Sequence, residues 1–199
     1  MRKCTPKICV DIDNVLAATD SVMREVIRKV TNGLVCLDYD DVQEFDYDKC
    51  QDKNNNSITR EQWSVIHNLF AERESLLSIQ LLPGAEDGLR RLSNFASLDI
   101  VTTRLPKARI STIEWLQQFK LPSYNLHFVS HLEKHLAVGN VYLAIDDHYE
   151  QAKCFADTGV DAILLRHPWN RDKPRIDRLE WADDWGELTE KVLQKLQQR

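Results

Sequence analysis

Short runs of branched apolar residues alternate along this chain with longer stretches whose apolar residues recur at helical spacing, and no other feature restricts the fold so strongly. The runs at 7–11, 98–102, 125–129, 141–146 and 160–165 have the length and residue types of buried strands. Around them, 15–30, 85–95, 107–119, 149–157 and 184–196 carry the helical pattern. Strand, helix, strand in repetition predicts a parallel sheet joined by crossover helices, an α/β, Rossmann-like sheet sandwiched between helical layers. Pro83-Gly84 marks a turn before one helix, and Pro106 sits where a first-turn proline belongs in another.

Residues 31–82 interrupt the alternation. They hold no convincing core strand, but a polar loop at 46–57 and a helix-like stretch at 60–77. We expect a small, mainly helical cap at 31–82, inserted after the first strand and packed over the sheet's edge, with 1–30 and 83–199 forming the catalytic core. Trp63, Ile66 and Phe70 share one helix face and form the cap's own core, whereas Phe45 and Tyr47, in the loop, are the better candidates for stacking on a substrate.

Charge and cysteines narrow the class. With 31 acidic against 26 basic side chains the net charge is −5, which repels long nucleic acid. The five cysteines, Cys4, Cys9, Cys36, Cys50 and Cys154, are scattered without metal-ligand spacing and are expected as reduced thiols. No apolar stretch approaches the roughly 20 residues that span a bilayer, and the amino terminus lacks a secretory apolar run. The expectation is a soluble, cytoplasmic protein with no membrane partner.

In an open parallel sheet, chemistry gathers at the carboxyl ends of the strands. The first strand ends in Asp11-Ile12-Asp13-Asn14-Val15. Alone, Asp-x-Asp is as well explained by a turn or helix cap. Two carboxylates there repel unless a cation sits between them or one holds a proton, and magnesium suits such oxygens. The second strand ends in Thr102-Thr103-Arg104, where hydroxyls and backbone amides can hold a phosphate oxygen. The fourth ends in Asp146-Asp147, two acids that a buried strand does not tolerate inside the core. Several carboxylates and a phosphate call for a fixed cation besides the metal, and Lys134 is favoured over Lys107 and Lys153.

The order Asp11-x-Asp13, Thr102, Lys134 and Asp146-Asp147, each at a predicted strand end or helix start, resembles the haloacid dehalogenase-like hydrolase superfamily over nearly the whole chain. Within it, the chain resembles the 5′(3′)-deoxyribonucleotidase, or cytosolic type C 5′-nucleotidase, family. The likeness rests on Asp11-Ile12-Asp13-Asn14-Val15-Leu16-Ala17, the early insertion, and the tail Arg166-His167-Pro168-Trp169-Asn170-Arg171 followed by Asp184-Trp185. Familiar forms have glycine where Asn14 stands and differ at His148. The resemblance implies a magnesium-dependent phosphatase in which Asp11 is the nucleophile and Asp13 the acid and base. It further implies that Thr102, with Thr103 and Lys134, holds the phosphoryl group. Asp11, Asp13 and Asp146 would hold Mg2+, supported by Asp147. The implied partner is a small phosphorylated substrate, a nucleotide first, acted on by a monomer or a homodimer. Another phosphorylated metabolite, or a non-catalytic binding protein keeping the fold, are the alternatives.

Two patterns lead elsewhere. Residues 52–59 are similar to a calcium loop, but Ser57 replaces the turn glycine and Trp63 stands where the closing glutamate belongs. His131 and His135 are spaced to share a helix face, but Leu132 takes the place of a catalytic glutamate, so both are expected at the surface or at a helix cap. Residues 46–57 are expected as a mobile loop.

Overall fold

The computed structural model describes residues 5–198. Six strands form one parallel sheet: β1 Lys7–Val10, β2 Ser97–Thr102, β3 Tyr124–Phe128, β4 Val141–Asp146, β5 Asp161–Leu165 and β6 Leu179–Ala182. Their order is β3-β2-β1-β4-β5-β6, with every neighbouring pair parallel. The order reverses at β1. Crossovers therefore diverge on either side of it, and a crevice opens beyond the carboxyl ends of β1 and β4. The sixth strand adds to the five expected.

Strand alternation sorts the side chains into two cores. Ile8, Val10, Ile100, Leu143 and Ile145 face one layer, while Cys9, Val101, Ala144, Ala162 and Leu164 face the other. Helices α4 Ala85–Leu92, α5 Arg109–Gln117 and α8 Trp185–Gln197 bury their apolar residues in the first layer. In the second lies α7 Tyr149–Asp157, with Val138, the residue that ends the short α6 Lys134–Ala137. Helices α4 and α8 approach closely because Gly88 has no side chain; a Cβ there would lie 2.4 Å from Cε3 of Trp185.

Between β1 and α4 the chain makes α1 Thr19–Val30, α2 Arg60–Phe70 and α3 Arg73–Ser78, with single 3₁₀ turns at Tyr39–Asp41 and Tyr47–Lys49. The helix pattern at 60–77 is split in two, the break falling at Ala71-Glu72. The first helix begins at Thr19 rather than at 15, because residues 12–17 curl into a tight turn in which the N–H groups of Leu16 and Ala17 both donate to Ile12 O. Where the chain leaves the sheet and returns, the two passes run side by side: Ala18 N–H donates to Gln80 O at 2.8 Å, Leu82 N–H to Leu16 O at 2.7 Å, and Ala17 bridges Leu81. Beyond this stem α1 packs on α2.

The segment expected to be a mobile loop is organised instead. Asp52 is buried; its Oδ1 accepts the N–H groups of Asn54 and Asn56, and its Oδ2 accepts that of Cys36. Those oxygens are thereby spent on the local backbone, a role aspartate fills in many turns. Thr59 and Gln62 then close a reciprocal cap on α2. Cys9, Cys36, Cys50 and Cys154 are free thiols, and Cys4 lies outside the described residues. No helix among the described residues is long and apolar enough to cross a membrane.

Candidate active site

Asp11 follows the last residue of β1 and keeps to the ladder, its N–H donating to Ile145 O at 3.0 Å. That continuation leaves the carboxylate buried, 6 % exposed, beside the end of β4. Asp146 closes β4, and Lys134 opens α6 on the neighbouring crossover. The Lys134 ammonium, itself 4 % exposed, lies 2.8 Å from both Asp11 Oδ1 and Asp146 Oδ2. The other oxygen of Asp146 accepts the backbone N–H groups of Asp147 at 3.0 Å and His148 at 2.9 Å. Asp147 in turn accepts, on Oδ2, the indole N–H of Trp169 at 3.1 Å.

Carboxylate oxygens of Asp11, Asp146 and Asp147 lie within 4.8 Å of one another. Burial pushes Asp11 up to about 7, with Lys134 opposing the rise and Asp146 and Asp13 adding to it. The same burial, with the charges of Asp11 and Asp146, holds Asp147 well above the usual carboxylate range. Burial works against the Lys134 charge, but the two carboxylates it touches outweigh that and raise it. One ammonium does not balance three ionised acids, so the group either keeps protons on its raised carboxyls or takes on further positive charge. Its hard oxygen donors suit magnesium, which takes few protein carboxylates and keeps substrate or water in its remaining positions.

Asp13, expected as the third metal ligand, turns elsewhere. Arg104 grips its carboxylate, Nη2 at 2.7 Å from Oδ1 and Nε at 3.1 Å from Oδ2, and the Thr19 hydroxyl donates to Oδ1 at 2.6 Å. Burial would raise its pKa, but the guanidinium and then the hydroxyl keep it below the usual range. Asp147, expected only in support, stands in the triad in its place. The guanidinium is itself fixed, with a side chain 3 % exposed, lying over the Trp115 ring at 5.3 Å.

The two threonines divide. Thr102 is fully buried and its hydroxyl accepts the Arg104 N–H at 3.2 Å, whereas Thr103 is exposed and lines the cavity. Of the lysines, Lys153 pairs with Asp157 at the surface and Lys107 reaches Asn68, leaving Lys134 as the one inside the site.

Above these groups is a cavity of about 330 Å³. Its roof is apolar and aromatic: Met23, Phe45, Tyr47, Trp63 and Phe70 line it. Phe45 is stacked on His148, centroids 4.0 Å apart and planes at 25°, and His131 stacks on His148 from 5.4 Å. Burial pushes His148 down to about 4, so the ring in this stack is neutral. His131 therefore does not share a helix with His135, since α6 begins only at Lys134. Tyr47 is 7 % exposed, donates its hydroxyl to Asp20 Oδ1 at 2.8 Å, and tilts against Trp63 at 5.7 Å. Trp63 packs against the core that holds Ile66 and Phe70, as expected, but it and Phe70 also line the cavity, while Ile66 is fully buried.

Sequence reasoning overlooked Arg104 and the His131–His148 pair, and gave Asp147 too small a part. The doubled acid was the available signal for Asp147, and an arginine two residues past a strand end was the signal for Arg104.

Across residues 5–198 the chain matches the family described as 5′ nucleotidase, deoxy (pyrimidine), cytosolic type C protein. No curated protein matches it in sequence. Its fold is similar to that of a haloacid dehalogenase family hydrolase from Deinococcus radiodurans with bound phosphate and sodium, at 13 % identity and TM-score 0.63, covering 96 % of this chain and 97 % of that one. It is similar also to CbbY from Rhodobacter sphaeroides in complex with phosphate, at 14 % identity and TM-score 0.61, covering 93 % and 96 %. The YfnB hydrolase of Bacillus subtilis, bound to magnesium, is 16 % identical at TM-score 0.57, over 96 % and 99 %.

Proposed function

Because the chain belongs to the cytosolic type C 5′-nucleotidase family, phosphoric monoester hydrolases of haloacid dehalogenase type, we propose that it hydrolyses (deoxy)nucleoside monophosphates through a phosphoryl group carried on Asp11. One observation supports this most: a single buried ammonium joins Asp11 to Asp146, with Asp147 completing an acidic group that faces the cavity.

Asp11, Asp146 and Asp147 would hold magnesium, which when bound offsets the repulsion between the nucleophile and the phosphate. Lys134 contacts Asp11 Oδ1, and we assign the attack to Oδ2. Its bond to phosphorus forms as the ester P–O bond breaks, and Asp13, protonated from solvent as substrate binds, delivers that proton to the leaving oxygen. In the second half Asp13 removes a proton from water, whose oxygen attacks phosphorus and frees phosphate and the Asp11 carboxylate. Arg104 keeps Asp13 aimed and, by holding its carboxyl low, favours the base role over the acid role. Thr103 is placed to bind a phosphoryl oxygen, and the aromatic roof suits a flat ring in the leaving group.

We further read the inserted unit as running from Ala18 to Gln80, with α1 included, since the stem lies at those residues. We place the protein in the cytoplasm with its family. The test is phosphate release from a panel of deoxyribonucleotides, ribonucleotides and sugar phosphates, with and without magnesium. Preference for a nucleoside monophosphate and dependence on the ion are expected. Equal turnover of sugar phosphates would remove the nucleotide assignment, and turnover in chelator would remove the ion.

A further inference from the structure

The tail sequence His167-Pro168-Trp169-Asn170 takes no part in the steps above, yet its polar groups end on the two catalytic loops. The indole N–H of Trp169 donates to Asp147 Oδ2 at 3.1 Å, and the Asn170 amide donates to Asp147 O at 2.8 Å. His167 Nε2 lies 2.7 Å from Asn14 O. A carbonyl oxygen can only accept, so Nε2 carries the proton, and Nδ1 must accept from the Tyr39 hydroxyl at 2.7 Å. The tautomer is thereby fixed.

The carbonyl that His167 holds belongs to a residue of uncommon backbone conformation. Asn14 has φ of +56°, in the left-handed region that asparagine enters more readily than other side-chain-bearing residues. The next carbonyl, Val15 O, is held by the indole N–H of Trp185 at 2.7 Å. The His167 and Trp169 rings lie flat on each other, centroids 4.4 Å apart at 5°, so neither can turn alone. Both are buried.

We propose that His167 and Trp169 are positioning residues for the reaction: Trp169 aims the Asp147 carboxylate at the metal position, and His167 holds the loop that follows Asp11 and Asp13. Tyr39, which lies in the inserted segment and is 41 % exposed, braces the imidazole through its hydroxyl. Residues that orient a metal-site ligand from behind typically change ion affinity 10–100-fold when replaced.

The inference rests on Asp147 belonging to a metal site, and Mn2+ binding followed by electron paramagnetic resonance separates the two claims. If wild type fails to bind Mn2+, the metal-site reading fails. If wild type binds and Trp169→Phe binds equally well, only the positioning role fails. We expect Trp169→Phe to weaken Mn2+ binding by roughly 10-fold or more. Should that variant not fold, wild type supplies the second measurement: the Trp169 indole N–H resonance moves on Mg2+ addition with the midpoint of ion binding, and a stationary resonance overturns the proposal. For His167, glutamine places an N–H where Nε2 stood and leucine does not. His167→Leu should lose roughly 10-fold to 100-fold in kcat while His167→Gln keeps most of it, and equal loss in both would show that the imidazole only fills space.

Discussion

The floor and the roof of the cavity are built on opposite plans. On the floor, Asp11, Asp13, Asp146 and Asp147 each have at least one oxygen tied at hydrogen-bond distance to a side chain that is itself buried. In the roof, Phe45 stacks on His148, and Trp63 tilts against Tyr47 and packs on apolar side chains. A floor locked by charge presents one geometry to one small group, as transition-state stabilisation requires. A roof of stacked rings can shift by tenths of an ångström at little cost, which suits it to discriminating leaving groups by shape.

The contrast implies that floor substitutions change rate and stability steeply while roof substitutions change affinity mildly. Asp11→Asn should lower kcat by a factor on the order of 10⁴ or more, yet raise the unfolding temperature of the metal-free protein at pH 8 by removing the charge of one of three crowded acids; phosphate release and thermal unfolding would measure the two. A variant that stays active denies Asp11 its role.

Lys134→Met comes next. It strands the Asp11 and Asp146 carboxylates without their cation, and breaking a buried pair in this way costs about 3–5 kcal/mol. Urea unfolding at pH 8 in chelator should show the loss, smaller at pH 5 where Asp11 can hold a proton. A loss below about 1 kcal/mol would mean the pair is no better than a surface bridge.

A gentler perturbation of the floor is pH. Asp11 titrates near 7 in the fold, above the unfolded value near 4. The folded, metal-free protein thus binds that proton more tightly, and the stability this contributes is complete below about pH 4 and lost as pH rises through 7. Wild type in chelator should therefore fall in unfolding temperature relative to Asp11→Asn between pH 4.5 and 8, and magnesium should restore the difference. Parallel curves for the two proteins would dispose of the shift.

Smallest is the roof. Phe45→Ala removes a stack worth about 0.5–1.5 kcal/mol, so KM for a nucleoside monophosphate should rise by roughly 2-fold to 12-fold with kcat nearly unchanged. If kcat fell a hundredfold instead, the roof would have to be counted with the floor.

Legibility in the sequence follows the same division. Asp11, Lys134 and Asp146 could be found because acids closing apolar strands, and a lysine to answer them, are wrong for a core and right for a site. The choice between Thr102 and Thr103, and the turning of Asp13 to Arg104 rather than to the acids, depends on how a turn rotates its side chains, which residue order does not encode. Strand β6, Leu-Glu-Trp-Ala at the sheet's edge, was missed because four residues with a charge among them make no apolar run. The break between α2 and α3 fell on Ala71-Glu72, where neither glycine nor proline announces it. The roof gave its residue types but not its contacts: stacking of Phe45 on His148 joins positions about a hundred residues apart.

The stem at Ala18 and Gln80 has an evolutionary consequence. Since the outgoing and returning passes are already fastened together there, whatever hangs beyond them is a loop whose ends are fixed, and the entropy of closing such a loop grows only with the logarithm of its length. Doubling the segment would cost about 0.6 kcal/mol. Descendants of this chain can lengthen, trim or exchange everything past that knot and hand the sheet a new specificity without renegotiating its catalytic ends.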